Sequence, residues 1–419
     1  MKRLAKHNQS IRSIFGSLDA ELLQSAVDLD SIDDILRDCL SKEEMREAGS
    51  YFTGQLLATK LVNSFLAPIT LNSIVLDPAC GAGNLLIECS RKLGVKSKLS
   101  KTLLSWGKVL HGTDIHHHFI ESAKLRIIIE AINRGVEIDC NLEEALLSLP
   151  NIKVGDALSV TEKELSQVTH IIMNPPFTTW PSPLENYWGK GKINAAGIIF
   201  DKYIRLLPKD SNIAAILPDV LRSGSSYHKF RSYVTTRIIA SCDIWGAFNS
   251  KTDVDVFILS GYFGAKHKNK IEWHKPLNNY TPLSDLYDVN TGSLVAYRAP
   301  EEGPLHPYFD LKNSPAGKTV YKETKYRRFK GKVFKPPFVL VKRTSSPSNK
   351  NRASATIVNI EHPAAVENHM VVITPKSLKV EDCVSLLRVL CSEKTNDFLN
   401  DRARMRHLTI GVIKDIPID

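Results

Sequence analysis

The chain has 419 residues, of which 43% are hydrophobic, so it can bury a large core and we expect two domains. Its formal net charge of +10 favours a polyanionic partner, although many soluble proteins are moderately basic. The sequence shows no signal peptide and no apolar run of membrane-spanning length, and its seven cysteines lack paired metal-type spacing. We therefore expect a cytoplasmic protein with no metal site and no membrane contact.

The first half of the chain predicts helices followed by an α/β domain. Residues 1–48 carry apolar side chains at helical spacing, which predicts two or three helices that cap the next domain. Strands then alternate with helices, and this order predicts a doubly wound parallel sheet. The predicted strands are 74–77, 109–114, 151–154, 169–174, 212–217 and two near 242–247 and 255–263, and the predicted helices are 83–93, 117–133 and 196–207.

The second half has a different pattern. Charged and proline-containing segments interrupt the alternation near 265–283, so we place an α/β catalytic domain at 49–275 and an α+β domain at 276–419. Twelve Lys and Arg residues lie between Lys318 and Arg352 against the single acidic residue Glu323. Aromatic residues and strand-forming runs are interleaved with these cations. A basic β-rich surface for nucleic acid is therefore favoured over a merely solvated charged face.

A glycine turn follows the first predicted strand, in Asp77-Pro-Ala79-Cys-Gly81-Ala-Gly-Asn. Glycines let the backbone approach a ligand closely, and the spacing differs from the dinucleotide fingerprint, so the turn predicts a nucleoside cofactor. Acidic residues end the next two strands. Asp114 could accept from both ribose hydroxyls with Ile115 packed on a purine, and Asp156 could accept from the purine amino group; each carboxylate alone could also be a helix cap or turn residue.

Thr53 precedes an amphipathic stretch from Gln55 to Phe65 and is a natural N-cap for that helix. The alternative interpretation is that Phe52 and Thr53 belong to a lid over the cofactor.

Asn174-Pro175-Pro176-Phe177 ends the apolar strand that begins at His170. An exocyclic amino group is a poor nucleophile because its lone pair is delocalised into the ring. The Asn174 amide oxygen and the Pro175 carbonyl could accept hydrogen bonds from its two N–H groups, while two prolines stiffen the turn and Phe177 stacks on the ring. An ordinary turn after a strand is the competing interpretation.

The loop that follows, 178–192, is rich in aromatic residues, glycine and lysine. We expect it to fold over a base that has been extruded from the duplex. The residues expected to contact DNA are Trp180, Lys190 and Lys192 in this loop, and Arg327, Arg328, Lys342 and Arg343 in the basic region.

These motifs, in this order, resemble the γ-class N6-adenine DNA methyltransferases, which include type II modification enzymes and the modification subunits of type I restriction systems. The resemblance runs from Phe52 to the C-terminus and implies a Rossmann-like fold that binds S-adenosylmethionine (SAM), with a C-terminal target-recognition domain. Gly54 departs from the family's usual proline, and Phe177 replaces the commoner tyrosine. By position, the resemblance assigns SAM to Phe52, Thr53, Asp77, Ala79, Gly81, Asp114 and Asp156, and the target base to Asn174, Pro175 and Phe177.

The resemblance implies site-specific methylation of adenine in double-stranded DNA, in a restriction-modification or phage-defence setting. An RNA-adenine or protein-glutamine methyltransferase uses similar chemistry and stays open as an alternative, as does a non-catalytic DNA-binding subunit. A separate restriction or defence-system subunit is a further expected partner.

Overall fold

The computed structural model describes residues 2–32, 35, 53–249, 252–264 and 271–418. The chain divides into two compact units between Trp273 and His274. Phe52, which was expected to contact the cofactor, lies outside the described residues. In the part of the chain that is described, no helix is both long and apolar enough to cross a bilayer.

The first unit is built on a seven-stranded sheet in the order β3-β2-β1-β4-β7-β9-β8. Its strands are β1 Val75–Asp77, β2 Leu110–Asp114, β3 Ile152–Val154, β4 His170–Met173, β7 Asn212–Pro218, β8 Ile238–Asn249 and β9 Thr252–Phe263. Strands β1 to β4 and β7 run parallel, as the strand–helix alternation predicts. The prediction of a wholly parallel sheet was wrong for the last two strands, because β9 pairs antiparallel with both β7 and β8. The chain passes directly from β8 to β9, and so short a connection permits only a hairpin.

Helices flank this sheet, and the α/β fold class is confirmed. The predicted helix 117–133 is present as His117–Asn133, and the helices predicted at 83–93 and 196–207 are Asn84–Ser90 and Ala195–Leu206. The helix Leu99–Val109, which precedes β2, was not predicted. The remaining described helices of this unit are Lys2–Ser13, Ala20–Val27, Gln55–Val62, Leu142–Leu147, Glu162–Leu165, Asp219–Ser223 and His228–Arg237, with 3₁₀ turns at Ala157–Ser159 and Ser225–Tyr227.

The two N-terminal helices, Lys2–Ser13 and Ala20–Val27, both pack on the helix His117–Asn133. Asp19 caps the second of them by accepting from the backbone N–H groups of Glu21 and Leu22. The prediction that this segment contains helices is confirmed for its described part.

The second unit is an α+β unit with a five-stranded sheet in the order β11-β18-β15-β16-β13. Alternate residues of β15 and β18 bury both faces: Val339, Val341, Val371 and Ile373 pack toward the helix Val380–Leu390, and Leu340 and Val372 pack toward Phe309 and Phe334. The strands of this unit are β10 Thr281–Pro282, β11 Tyr287–Thr291, β12 Leu305–Phe309, β13 Thr319–Val320, β14 Tyr326–Arg328, β15 Phe338–Lys342, β16 Ala355–Val358, β17 Ala365–Val366, β18 Met370–Pro375 and β19 Pro417–Ile418, and its helices are Leu283–Leu286, Val380–Leu390, Glu393–Arg402 and Ile410–Lys414.

Candidate active site

A cavity of about 440 Å³ opens at the carboxyl edge of strands β1 to β4 in the first unit. The carboxyl ends of neighbouring parallel strands meet at one edge of a sheet, so residues far apart in sequence converge here. The cavity brings together the predicted residues Thr53, Asp77, Ala79, Gly81, Asp114, Ile115, Asp156, Asn174, Pro176 and Trp180. Pro78, Cys80, Asn84, His116 and Leu158 also line it, although no role was predicted for them.

The glycine turn is tied to the neighbouring strand by hydrogen bonds. Cys80 donates its backbone N–H to the Thr113 carbonyl at 3.0 Å, and the Thr113 hydroxyl donates to the Pro78 carbonyl at 3.0 Å. Gly83 has a φ of 86°, and a Cβ there would lie 2.9 Å from the Cβ of Ala123. The turn therefore requires glycine at this position, both for its left-handed backbone and for the close approach to the helix behind it.

Two carboxyl groups lie at the base of the cavity. Asp77 is 1% exposed and accepts from the Ala79 N–H at 3.2 Å. Burial raises the pKa of Asp77 to about 8, and the charge of Asp114 acts in the same direction. Asp114 accepts from the N–H groups of Gly81 at 3.1 Å and His116 at 2.9 Å, and burial raises its pKa as well. Two acidic groups whose ionisation is suppressed by burial suit a ligand that brings positive charge.

Ile115 and Asp156 lie toward the rim. The side chain of Ile115 is 61% exposed, so it offers apolar surface that a planar ring can cover. Asp156 is exposed and its Oδ1 accepts from the Leu158 N–H at 2.9 Å. Asp156 thus combines the turn-capping role that was the competing interpretation with a place in the cavity wall.

Thr53 does not cap the helix that follows it, so the N-cap interpretation was wrong. Gly54 is the N-cap of Gln55–Val62, and Asp30 Oδ1 accepts from the Gln55 N–H at 2.9 Å. A Cβ at position 54 would overlap this carboxylate unless the Asp30 side chain moved. The Thr53 hydroxyl instead accepts from Asn174 Nδ2 at 3.0 Å.

The Asn-Pro-Pro-Phe corner is only partly arranged as expected. Asn174 and Pro176 line the cavity, and Pro175 is buried. Because Nδ2 of Asn174 donates to Thr53, Oδ1 occupies the opposite end of the amide. Phe177 is 9% exposed and packs edge-to-face on Phe248, with ring centroids 5.6 Å apart. Phe177 therefore packs against the core next to the cavity, and its stacking on the target base stays a prediction.

The loop expected to fold over the base contains a two-stranded hairpin, β5 Thr179–Pro181 with β6 Lys192–Asn194. Trp180 lies in the cavity wall, and its contact with DNA stays a prediction. Further along, the Tyr187 hydroxyl donates to Asp201 at 2.5 Å and Trp188 stacks on Phe230 at a centroid distance of 5.8 Å, so this half of the loop is anchored to the unit's core. Lys190 and Lys192 are exposed, as a phosphate contact requires.

The four predicted DNA contacts of the second unit fall into two pairs. Arg328 is exposed, with one hydrogen bond from its Nη1 to the Gly303 carbonyl at 3.1 Å, and Lys342 is half-buried. Arg327 donates to the carbonyls of Ala296 and Ala299, both at 2.9 Å, and Arg343 donates to the carbonyl of Asn368 at 3.0 Å. The guanidinium groups of Arg327 and Arg343 thus hold loops of their own unit, and their contact with phosphates stays a prediction.

A mostly parallel sheet places acidic strand ends and an Asn-Pro-Pro-Phe corner at the same cavity, which is the Rossmann-like α/β arrangement that the motifs imply. Residues 30–224 match the sequence model of the family described as N-6 DNA Methylase. The family resemblance drawn from the motifs is confirmed. No curated protein sequence matches the chain.

Two solved structures are similar to nearly the whole chain. The type IIL restriction-modification enzyme MmeI, solved in complex with DNA, has a TM-score of 0.58 at 11% identity, over 94% of this chain and 70% of MmeI. The type IIG restriction endonuclease BpuSI has a TM-score of 0.46 at 12% identity, over 93% of this chain. The chain spans 61% of the length of BpuSI. At this identity the likeness to MmeI shows a shared fold.

Proposed function

We propose that the chain is a SAM-dependent, site-specific DNA methyltransferase that acts on the N6 amino group of adenine. The observation that carries the proposal is the Asn174–Thr53 hydrogen bond at the wall of the acidic cavity. It orients one amide acceptor beside a compartment suited to a cationic nucleoside. We further propose that residues 49–275 form the catalytic domain and 276–419 the target-recognition domain.

The cavity residues fit SAM in volume and in charge. Asp77 and Asp114 would face its amino-acid and ribose portions, with Ala79 and Gly81 close to the former, and Thr53 would close the side of the cavity. Ile115 and Asp156 would hold the adenine ring by packing and by accepting from its amino group. SAM supplies the methyl group as a sulfonium electrophile, and the two buried carboxyl groups favour that positive charge.

The target adenine must leave the duplex to reach this edge of the sheet. Asn174 Oδ1 and the Pro175 carbonyl would accept from its two amino hydrogens and thereby localise the nitrogen lone pair for in-line attack. Trp180 provides aromatic surface in the cavity wall, and Phe177 packs next to the Asn-Pro-Pro-Phe corner against Phe248. The acceptors are fixed before the base arrives, because Thr53 holds the Asn174 amide and the prolines restrict the backbone.

The competing substrates share the chemistry and differ in the surface they require. An RNA adenine or a glutamine amide could occupy the same acceptors. The eight exposed cations between Lys318 and Lys350 favour a nucleic acid over a protein substrate, and the match to the N-6 DNA Methylase family favours DNA. A cytoplasmic location, a restriction-modification or phage-defence setting and a separate nuclease subunit belong to the same proposal.

The experiment compares Asn174→Ala with the wild-type chain, using tritiated SAM with plasmid DNA from a host lacking adenine methylation. We expect methyl transfer to fall by at least about 10²-fold, since a preorganised acceptor is lost. Binding of sinefungin should change by less than about threefold, because the acidic pair is untouched. Asn72→Ala, at an exposed asparagine outside the cavity, is the matched control. An equal loss of transfer and of sinefungin binding would show that Asn174 is structural and contradict the proposal.

A further inference from the structure

Arg126 is a fully buried cation in the helix His117–Asn133, and its side chain is 0% exposed. It donates to the carbonyls of Ala26 at 2.9 Å and Asp28 at 3.0 Å, both in the N-terminal segment. Nη1 also donates to the carbonyl of Ala82 at 2.8 Å and to Asn84 Oδ1 at 2.6 Å. One guanidinium therefore joins the N-terminal segment to the glycine turn and to the residue that follows it.

The contact with Asn84 has a direction. A guanidinium carries only donors, so Asn84 must present its amide oxygen to Arg126 and its amide nitrogen away from it. Asn84 Nδ2 donates to the carbonyl of Thr53 at 2.8 Å and of Leu29 at 3.2 Å. By fixing the orientation of the Asn84 amide, Arg126 directs its nitrogen toward the carbonyls of Thr53 and Leu29.

The chain of contacts ends at the proposed acceptor for the target base. Thr53, whose carbonyl accepts from Asn84, is buried, with 2% of its surface exposed. Its hydroxyl accepts from Asn174 Nδ2 at 3.0 Å. Arg126, Asn84, Thr53 and Asn174 form a continuous path from the helix behind the sheet to the Asn-Pro-Pro-Phe corner. The same guanidinium holds Ala82 in the glycine turn, on the cofactor side of the cavity.

We propose that Arg126 is a positioning residue that aligns the Asn174 acceptor with the glycine turn, acting through Asn84 and Thr53. The inference rests on the proposed methyl transfer. Transfer requires the acceptor and the methyl donor to be held in one geometry, and a misplacement of about 1 Å can cost on the order of 10²-fold in rate. Arg126 contacts the glycine turn on the cofactor side and, through Asn84 and Thr53, the acceptor on the side of the target base. Its hydrogen bonds to Ala26 and Asp28 make the N-terminal segment part of the support of the site.

The electrostatics of Arg126 are consistent with a positioning role. Burial lowers the pKa of Arg126 to about 9, with the neighbouring Arg91 acting in the same direction. The guanidinium is thus charged at neutral pH at a cost in desolvation, and its four acceptors are three backbone carbonyls and one amide oxygen. An apolar side chain would fill this volume without that cost and without the directional contacts.

The kinetic test uses the full chain, four single variants and one double variant. Thr53→Val removes the hydroxyl while keeping the shape, and Thr53→Ser restores it. Arg126→Lys keeps the charge and loses the planar array of donors. Thr102→Val is the matched control, because Thr102 is a buried threonine of the same unit whose hydroxyl contacts backbone groups near it in sequence: it accepts from the Lys96 N–H and donates to the carbonyls of Lys96 and Lys98.

We expect kcat for Thr53→Val and Arg126→Lys to fall about 10- to 100-fold, while the Kd for sinefungin changes by less than about threefold. Thr53→Ser should recover most of the lost rate, and Thr102→Val should match the wild type in kcat. The double variant Thr53→Val/Arg126→Lys should lose little more than either single variant, since both act on one path. The proposal would be overturned if the loss of kcat in the double variant equalled the product of the two single losses. It would also be overturned if kcat fell only in proportion to the loss of thermal stability, measured as Tm.

A spectroscopic readout keeps the inference testable apart from activity. In ¹⁵N-asparagine-labelled protein, the side-chain amide signal of Asn174 can be assigned by its disappearance in Asn174→Ala. That signal should move in Arg126→Lys and Thr53→Val and stay in place in Thr102→Val. If the Asn174 amide signal keeps its position in Arg126→Lys, the positioning role is overturned. If the signal moves but the wild-type chain transfers no methyl group, only the proposed function is overturned.

Discussion

Asp77 and Asp114 end neighbouring parallel strands and line one cavity, where the charge of Asp114 adds to burial in raising the pKa of Asp77 to about 8. At neutral pH the Asp77 carboxyl is therefore mostly protonated in the free protein. A cationic ligand requires the charged form, so binding must release a proton.

We expect the affinity for sinefungin to rise with pH. The ligand binds the ionised carboxyl, so its Kd should fall about tenfold per pH unit between pH 6 and pH 8 and level off above the pKa of Asp77. Isothermal titration in two buffers of different ionisation enthalpy measures the affinity and the released proton together. Asp77→Asn should remove the slope that comes from the protein and leave the slope that comes from the ligand. A wild-type slope equal to that of Asp77→Asn would contradict this assignment.

Phe177 and Trp180 should respond differently to truncation. Phe177 is buried against Phe248, so Phe177→Ala should lower the free energy of unfolding by about 3 kcal/mol. Trp180 is half-buried in the cavity wall, so Trp180→Ala should reduce kcat/KM by about tenfold with a small change in Tm. Thermal denaturation and methyl-transfer kinetics of both variants provide the comparison. A stable Phe177→Ala protein would indicate that Phe177 is an open stacking surface after all.

Gly83 should be intolerant of any side chain. Gly83→Ala places a Cβ against Ala123 in a left-handed backbone conformation, so we expect a loss of about 1–3 kcal/mol in stability together with weaker sinefungin binding. Gly94→Ala is the matched control, since a Cβ there meets nothing within 4 Å. Chemical denaturation measures both variants, and equal stabilities would refute the steric argument.

In the basic region, substitution of Arg328 should mainly affect DNA binding, and substitution of the adjacent Arg327 should mainly affect stability. Arg328 is exposed and its Nη1 donates to the Gly303 carbonyl at 3.1 Å, so Arg328→Ala should weaken DNA binding, reduce the salt dependence of log K by about one unit of slope, and lower Tm less than Arg327→Ala does. Arg327 holds the carbonyls of Ala296 and Ala299, so Arg327→Ala should lower Tm and leave the salt slope close to that of the wild type. Fluorescence anisotropy over a range of salt concentrations distinguishes the two. A reversed pattern would place Arg327 at the phosphate backbone.

The strand ends of the first unit could be predicted because the signal is local. Apolar runs ending in Asp77, Asp114 and Asn174 predict parallel strands, and parallel strands bring their carboxyl ends together whatever lies between them. The helix Leu99–Val109 was missed because its N-cap residue, Lys98, provides no side-chain cap and the stretch around it is rich in lysine and serine.

The contacts that hold the site could not be predicted from local pattern. Thr53 and Asn174 are 121 residues apart, and a threonine before a helix is most often its N-cap. The burial of Phe177 depends on Phe248, which comes from the antiparallel hairpin that the strand–helix alternation did not reveal. Arg126 lies within an apolar helix, and only the fold shows that its donors face the glycine turn and the N-terminal segment.

The most direct test of the account is mass spectrometry of the nucleosides of unmethylated plasmid DNA after incubation with SAM and the purified chain. We expect N6-methyladenine with the wild-type chain and none with Asn174→Ala. N4-methylcytosine in place of N6-methyladenine, or the same yield of N6-methyladenine from Asn174→Ala as from the wild type, would contradict the account.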